Sequence, residues 1–245
     1  LTKKKLRKKK LSRRSNRQFI QAQPYVHNMG ILEEYVQFVI EERKRPFRLE
    51  HLKSLTSVKD VVAYANNTLK KFDAGSSRKA YILNTRYVLK VAYNKKGIAQ
   101  NEAEIDIFTN PATKQLTTKI ANYSDDYSWL IAELVRPMDR GAEDVFESRF
   151  GTSLYSITLI VKGLMGGGKK EDYTEYCNEE CFSFAESLIS LLKTTELVID
   201  DLSREEQWGQ TPDGRIVILD YGYTTTTKQL YHPSPAGSNV ATKNY

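Results

Sequence analysis

Asp201 and Asp220 are the residues on which chemistry is most readily built. Asp201 opens the polar run Asp201-Leu202-Ser203-Arg204-Glu205-Glu206-Gln207-Trp208-Gly209, and Asp220 closes the run of apolar or long residues 215–219 just ahead of Tyr221-Gly222. Between them, Thr211-Pro212-Asp213-Gly214 is a hairpin signal, because Pro presets φ and Gly takes the left-handed position. A carboxylate delivered at the end of a buried strand and followed by Gly can hold a metal ion over a cleft. Read without chemistry, the same residues are a surface hairpin ending in an ordinary Asp turn. The third reactive group is Lys90, inside the apolar run Tyr87-Val88-Leu89-Lys90-Val91-Ala92. A lone ammonium in such a strand is costly to bury unless paired. Its partner is therefore sought on the next element, a helix expected over 98–109 with the acids Glu102, Glu104 and Asp106 and a stop at Asn110-Pro111.

The elements that must position these groups follow from periodicity. Residues 29–44 read as an amphipathic helix with the stripe Leu32, Tyr35, Val36, Val39 and Ile40. A second helix is expected over 57–72, capped by Ser57 with Asp60 and burying Val58, Val61, Val62, Ala65, Leu69 and Phe72. From Ala74 the period changes. Gly75-Ser76-Ser77-Arg78-Lys79 is a small polar turn, 80–83 and 87–92 form a hairpin, and 116–121 and 127–135 are further strands. Residues 153–162 read as helix or strand. Residues 172–195 form a helix whose face carries Cys177, Cys181, Phe184, Leu188 and Leu191, so both cysteines read as unbridged core residues, as in a reducing compartment. After Gly222 the chain reads as irregular.

Composition bounds the classes. The sequence has 245 residues, 40% hydrophobic, and a mean hydropathy of −0.53. No apolar run approaches the roughly 18 residues of a membrane span. The net charge of +7 is uneven: of 37 bases, ten lie in residues 1–17 with no acid, leaving 27 against 30 acids, or −3, in residues 18–245. Residues 1–18 are therefore a basic arm suited to nucleic acid, an acidic protein surface or anionic lipid. The chain starts at Leu1, which reads as processed or trimmed.

The ordered set is a strand hairpin with a small-residue turn, a strand Lys, a helix Glu, an acid loop, a second hairpin and a final Asp-x-Gly. It resembles the protein-kinase-like fold over roughly residues 72–223. The resemblance implies an α+β, two-lobed architecture: an antiparallel-sheet lobe at 73–135, a minimal helical lobe at 136–223, a helical extension at 19–72, and a tail at 224–245. It also implies ATP and Mg²⁺ as cofactors. Gly75, Ser76, Ser77 and Arg78 would cover the phosphates, Lys90 would hold them, and Glu104 (or Glu102) would hold Lys90. Asp220 and Gln207 would bind the metal, Asp201 would be the catalytic base, and Glu133 and Val135 would meet the adenine. Gln207-Trp208-Gly209 resembles the Asn-aromatic-Gly of small-molecule kinases of this fold.

The chain departs from that pattern in several places. The turn has one glycine, no His or Arg precedes Asp201, Gln replaces Asn one position late, and 23 residues follow Gly222. These departures imply weak or lost Mg·ATP phosphotransfer. The alternative is a non-catalytic pseudokinase serving a larger assembly, cytoplasmic or within a virion, since short chains of this pattern are similar to kinase-like proteins of large bacteriophages. The run Gly163-Leu164-Met165-Gly166-Gly167-Gly168-Lys169-Lys170 matches a phosphate loop only superficially. Lys170 stands where a Ser or Thr would hold Mg²⁺, and Glu171 and Asp172 follow, so it reads as a linker.

Overall fold

The computed structural model describes residues 46–231. The expectations for the arm at 1–18, the helix at 29–44 and residues 232–245 lie outside them. Two short helices come first: α1 (Leu49–Lys53) and α2 (Val58–Thr68). Ser57 caps α2 by accepting the amide of Asp60 at 3.1 Å. The helix stops earlier than the periodicity predicts. Phe72 belongs to strand β1 (Lys70–Ala74), so the sheet begins inside the segment expected to be helical extension. From Lys71 to Ala74 polar and apolar residues alternate, which suits the two-residue period of a strand rather than a helix.

Among the described residues the first sheet has five strands: β1, β2 (Arg78–Ile82), β3 (Tyr87–Ala92), β4 (Ile120–Tyr123) and β5 (Trp129–Glu133). They are antiparallel in the order β1-β2-β3-β5-β4. Side chains alternate between two faces. One face carries Tyr81, Leu89, Val91, Trp129 and Ile131 and is covered by Leu52, Val61 and Ala65 of α1 and α2. The other carries Ile82, Val88, Leu130 and Ala132 and packs on Ile105 of helix α3 (Lys95–Thr109). Asn94 caps α3 by accepting from Gly97, three residues before the start read from the sequence.

Short strand β6 (Arg136–Pro137) follows the sheet and pairs with β7 (Trp208–Gln210), which pairs with β8 (Ile216–Ile218). The turn between β7 and β8 is the expected one, with Gly214 at φ 83°. Around this ribbon lie α4 (Arg140–Phe150), α5 (Leu154–Met165) and α6 (Glu179–Thr194). Their core joins Phe146, Phe150, Ile157, Leu188, Leu191, Trp208 and Tyr221. The expected two-lobed α+β architecture is thus present. Helix α4 was not expected, although Asp139 caps it and Gly151 (φ 77°) ends it.

Four further expectations are corrected. Helix α6 starts at Glu179 rather than 172, capped by Asn178, so Cys177 lies before it. The two cysteines, read as unbridged, are joined by a disulfide across Cα atoms 5.3 Å apart, within the range such a bond spans. The end is not wholly irregular, because α7 (Thr225–Tyr231) follows Gly222. The Gly-rich segment is partly helical: Gly163 lies within α5, and the amide of Gly168 returns to the carbonyl of Gly163 at 2.9 Å. No helix among the described residues is long and apolar enough to cross a membrane.

Leu52 is wholly buried beneath the sheet. If α1 and α2 are integral to the first lobe, Leu52→Ala should cost about 2–5 kcal/mol, read as a lowered urea midpoint with an unchanged slope. A cost below about 0.5 kcal/mol would mark the helices as a detachable appendage.

Candidate functional site

Sheet register brings the charged groups together. Arg78 pairs with Ala92 across β2 and β3, and Ala80 pairs with Lys90. On the face toward α3, each long base therefore stands opposite an alanine, and both side chains have room to extend. Lys90 donates to both carboxylate oxygens of Glu104 at 2.9 Å and to the carbonyl of Leu219 at 2.8 Å. A lysine ammonium has three donors, and all three are used. Glu104, not Glu102, is the helix partner, and its side chain is 0% exposed.

Arg78 was read as part of a phosphate-covering turn. It is instead the first residue of β2, and its guanidinium, 8% exposed, reaches inward. One terminal nitrogen meets Glu104 at 2.8 Å and Asn101 Oδ1 at 3.2 Å, and the other meets Asp220 at 2.5 Å. Two bases and two acids thus close into one network across the lobes. Burial by itself pushes Asp220 up, but the charges of Arg78 and Lys90 overcome it and hold the carboxyl far below the usual range. The cost of burying the Arg78 guanidinium is likewise outweighed by Asp220 and Glu104, so its pKa rises.

The preceding turn is tied down rather than arched over the cleft. The carbonyls of Gly75, Ser76 and Ser77 accept from the Tyr93 hydroxyl (2.6 Å), Asn94 Nδ2 (3.1 Å) and the Tyr93 amide (3.1 Å). The Ser77 hydroxyl meets Gln100 at 2.5 Å. Gly97 makes this possible, because a Cβ there would stand 2.3 Å from the Ser77 carbonyl. Gly222 works likewise at the other end. A Cβ on it would lie 2.5 Å from the Gln100 carbonyl, so the segment after Asp220 presses directly on α3.

Asp220 is delivered by β8, whose Ile218 amide donates to Leu116 at 2.8 Å, and Leu219 donates to the carbonyl of Gln207 at 2.7 Å. Tyr221 is fully buried and donates to the carbonyl of Thr118 at 2.9 Å. Asp201 sits in a short 3₁₀ turn, paired with Arg204. Burial raises its pKa, Arg204 works against that, and the negative charge of Asp220 adds to the rise. With its amide turned so that both ends find partners, Gln207 donates to the Asp220 carbonyl at 3.2 Å and accepts from Arg204 at 2.7 Å. Trp208 anchors the loop from inside, with Nε1 donating to Leu202 at 2.7 Å. At the segment expected to meet adenine, the amides of Glu133 and Leu134 are committed to the carbonyls of Lys119 (2.8 Å) and Arg86 (2.7 Å), while Val135 is buried against Gly209.

Chemically, this arrangement does not fit Mg²⁺ as it stands. Asp220 faces a guanidinium, and the amide oxygen of Gln207 faces Arg204. One oxygen of Asp220 and, in its satisfied amide orientation, the oxygen of Gln207 are thus already given to cations. Arg78 and Arg204 are the two site residues that sequence reasoning misplaced or passed over. The alternation of Arg78, Ala80 and Ile82 on one strand face was the available signal for the first.

No protein-family model matches this chain, and no curated protein matches it. Among solved structures it is similar to SAICAR synthase from Saccharomyces cerevisiae complexed with SAICAR, at 12% identity over 62% of this chain and 73% of that one, TM-score 0.34. It is also similar to the streptomycin–ATP–APH(2″)-IIa ternary complex, at 10% identity over 69% and 71%, TM-score 0.33. At these scores the likeness adds no weight. The kinase-like reading of the two lobes stands on the sheet order, the β3 Lys–α3 Glu pair and the Asp-x-Gly after β8.

The depressed carboxyl of Asp220 sets a pH dependence. A group whose folded pKa lies below its unfolded value contributes stability above the unfolded value, about 3.9 for Asp, and loses it as pH falls toward the folded one. Asp201, raised by burial, pulls weakly the other way. The melting temperatures of the native chain and Asp220→Asn should therefore differ most near neutrality and converge below about pH 4. A constant difference down to about pH 2 would show that Asp220 is not held by the two cations.

Proposed function

We propose that this chain is a protein-kinase-like protein that keeps the scaffold of a nucleotide site and has weak or lost Mg·ATP phosphotransfer. The observation that carries this reading is the bridge from Arg78 to both Glu104 and Asp220. Phosphoryl transfer depends on positioning and charge neutralisation more than on covalent chemistry. Here the lysine that would hold phosphates has its three donors filled, and the metal-binding carboxylate is neutralised from within. The base candidate Asp201 is paired with Arg204, so its carboxylate is already occupied by a cation although burial raises its proton affinity.

Thermal-shift titration with ATP, in Mg²⁺ and in a chelator, tests this reading on the intact chain and on Lys90→Ala. The expected result is a small rise that is the same with and without Mg²⁺ and is lost in Lys90→Ala. A large Mg²⁺-dependent rise accompanied by turnover of ATP would overturn it. No rise at millimolar nucleotide would make the scaffold vestigial and favour the second reading.

That second reading is a structural part of an assembly, such as a virion, held through the basic arm. It is favoured by the concentration of ten bases in residues 1–17 on a chain that is otherwise slightly acidic. Binding to DNA or RNA should then fall steeply with salt and vanish when residues 1–18 are deleted. Salt-insensitive or absent binding would exclude nucleic acid as the arm's partner.

A further inference from the structure

We propose that Arg78 is a built-in substitute for the divalent cation of this cleft, and that Glu104 and Asp220 become a metal site only when its guanidinium is removed. The proposal rests on the nucleotide-site reading for the meaning of the cleft, but its geometry stands apart from any nucleotide.

Three features carry it. First, the network is closed and balanced: the buried Arg78 and the half-buried Lys90 face two carboxylates, and Lys90 is saturated by Glu104 and Leu219. Arg78 ion-pairs with both Glu104 of α3 in one lobe and Asp220 beyond β8 in the other. It spans the gap between carboxylates that a metal ion would otherwise have to bridge or leave. Second, the guanidinium is planar, carries its charge at any pH a protein survives, and offers donors in a fixed fork matched to carboxylates. A chelator cannot remove it. Third, it has no low-cost exit. Arg78 is almost wholly buried while Glu104 is fully so. Withdrawing the guanidinium would therefore leave a buried carboxylate short of one partner, which is strongly unfavourable. Asp220, by contrast, keeps 47% of its side chain exposed, so an ion entering from solvent could reach it once the guanidinium is gone.

The register explains how the substitution is built. Alanines at 80 and 92 stand opposite Lys90 and Arg78, and a larger residue at either position would crowd one base off the face. Asn101, buried beside the guanidinium at 3.2 Å, helps fix the fork toward the acids.

The test uses Mn²⁺ alone, with no nucleotide, so that its outcome is separate from whether ATP binds. Free Mn²⁺ is followed by electron paramagnetic resonance, and melting is recorded in Mn²⁺ and in chelator, for the intact chain, Arg78→Gln, Arg78→Lys, Asp220→Asn and the double variant Arg78→Gln/Asp220→Asn. The intact chain should melt at the same temperature in both buffers and bind no Mn²⁺ that Asp220→Asn abolishes. Arg78→Gln should bind one Mn²⁺ per chain about tenfold or more tighter than the intact chain, with a matching rise in melting temperature that the double variant lacks. Arg78→Lys, which keeps a cation in place, should resemble the intact chain. Should Arg78→Gln fold only when Mn²⁺ is supplied, the dependence itself supports the proposal. Stoichiometric Mn²⁺ binding by the intact chain, lost in Asp220→Asn, would overturn it. So would a folded Arg78→Gln that takes no Mn²⁺, or one that stays unfolded in Mn²⁺ while the double variant folds.

Discussion

The carboxylate of Glu104 is the constraint on which the rest of the site depends. It is fully buried, it carries a charge, and it receives Lys90 from β3 and Arg78 from β2. A charge taken out of water is tolerated only when its partners are close and well oriented. That requirement fixes the position of α3 against the sheet, the register of β2 on β3, and the approach of Asp220 from the other lobe. Removing any one partner would leave the others with an uncompensated charge, so the four side chains behave as a unit.

The same constraint underlies the proposal that phosphotransfer is weak or lost in this cleft. In a working phosphotransfer site the cations belong partly to the protein and partly to the cofactor, and the protein leaves donor capacity to spare. Here the protein supplies both cations itself. The turn between β1 and β2 follows the same logic: its carbonyls are bound to Tyr93 and Asn94, and Gly97 lets it lie flat on α3. The disulfide between Cys177 and Cys181 and the cap by Asn178 add local order at the start of α6, on the side of the helical lobe that packs Phe146 and Phe150.

Much of the fold was legible in the chain because alternation and caps are local. The Lys90 strand, the helix carrying Glu104, the Pro-Asp-Gly turn and the final Asp-x-Gly could be read in order, and their order carried the resemblance that implied the two-lobed α+β class. The need of Lys90 for a partner on the next helix followed from the cost of an unpaired ammonium alone. Helix α4 was passed over although Asp139 and Gly151 mark its ends, because only Ala142, Phe146 and Phe150 are apolar on its buried face. The 70–74 strand was absorbed into the helix before it because Leu69 and Phe72 continue that helix's spacing.

What the sequence by itself determined is the inventory of charges and the elements that bear them, since both depend on residue type and near-neighbour spacing. Which charges meet was decided only by tertiary structure. Arg78 and Asp220 lie on different lobes, and their contact depends on strand register, on the closeness of Gly222 to α3 and on the two alanines that make room on the sheet. A side chain's role as phosphate clamp or as internal counter-ion turns on a few ångströms of long-range packing, and local sequence carries no record of that distance.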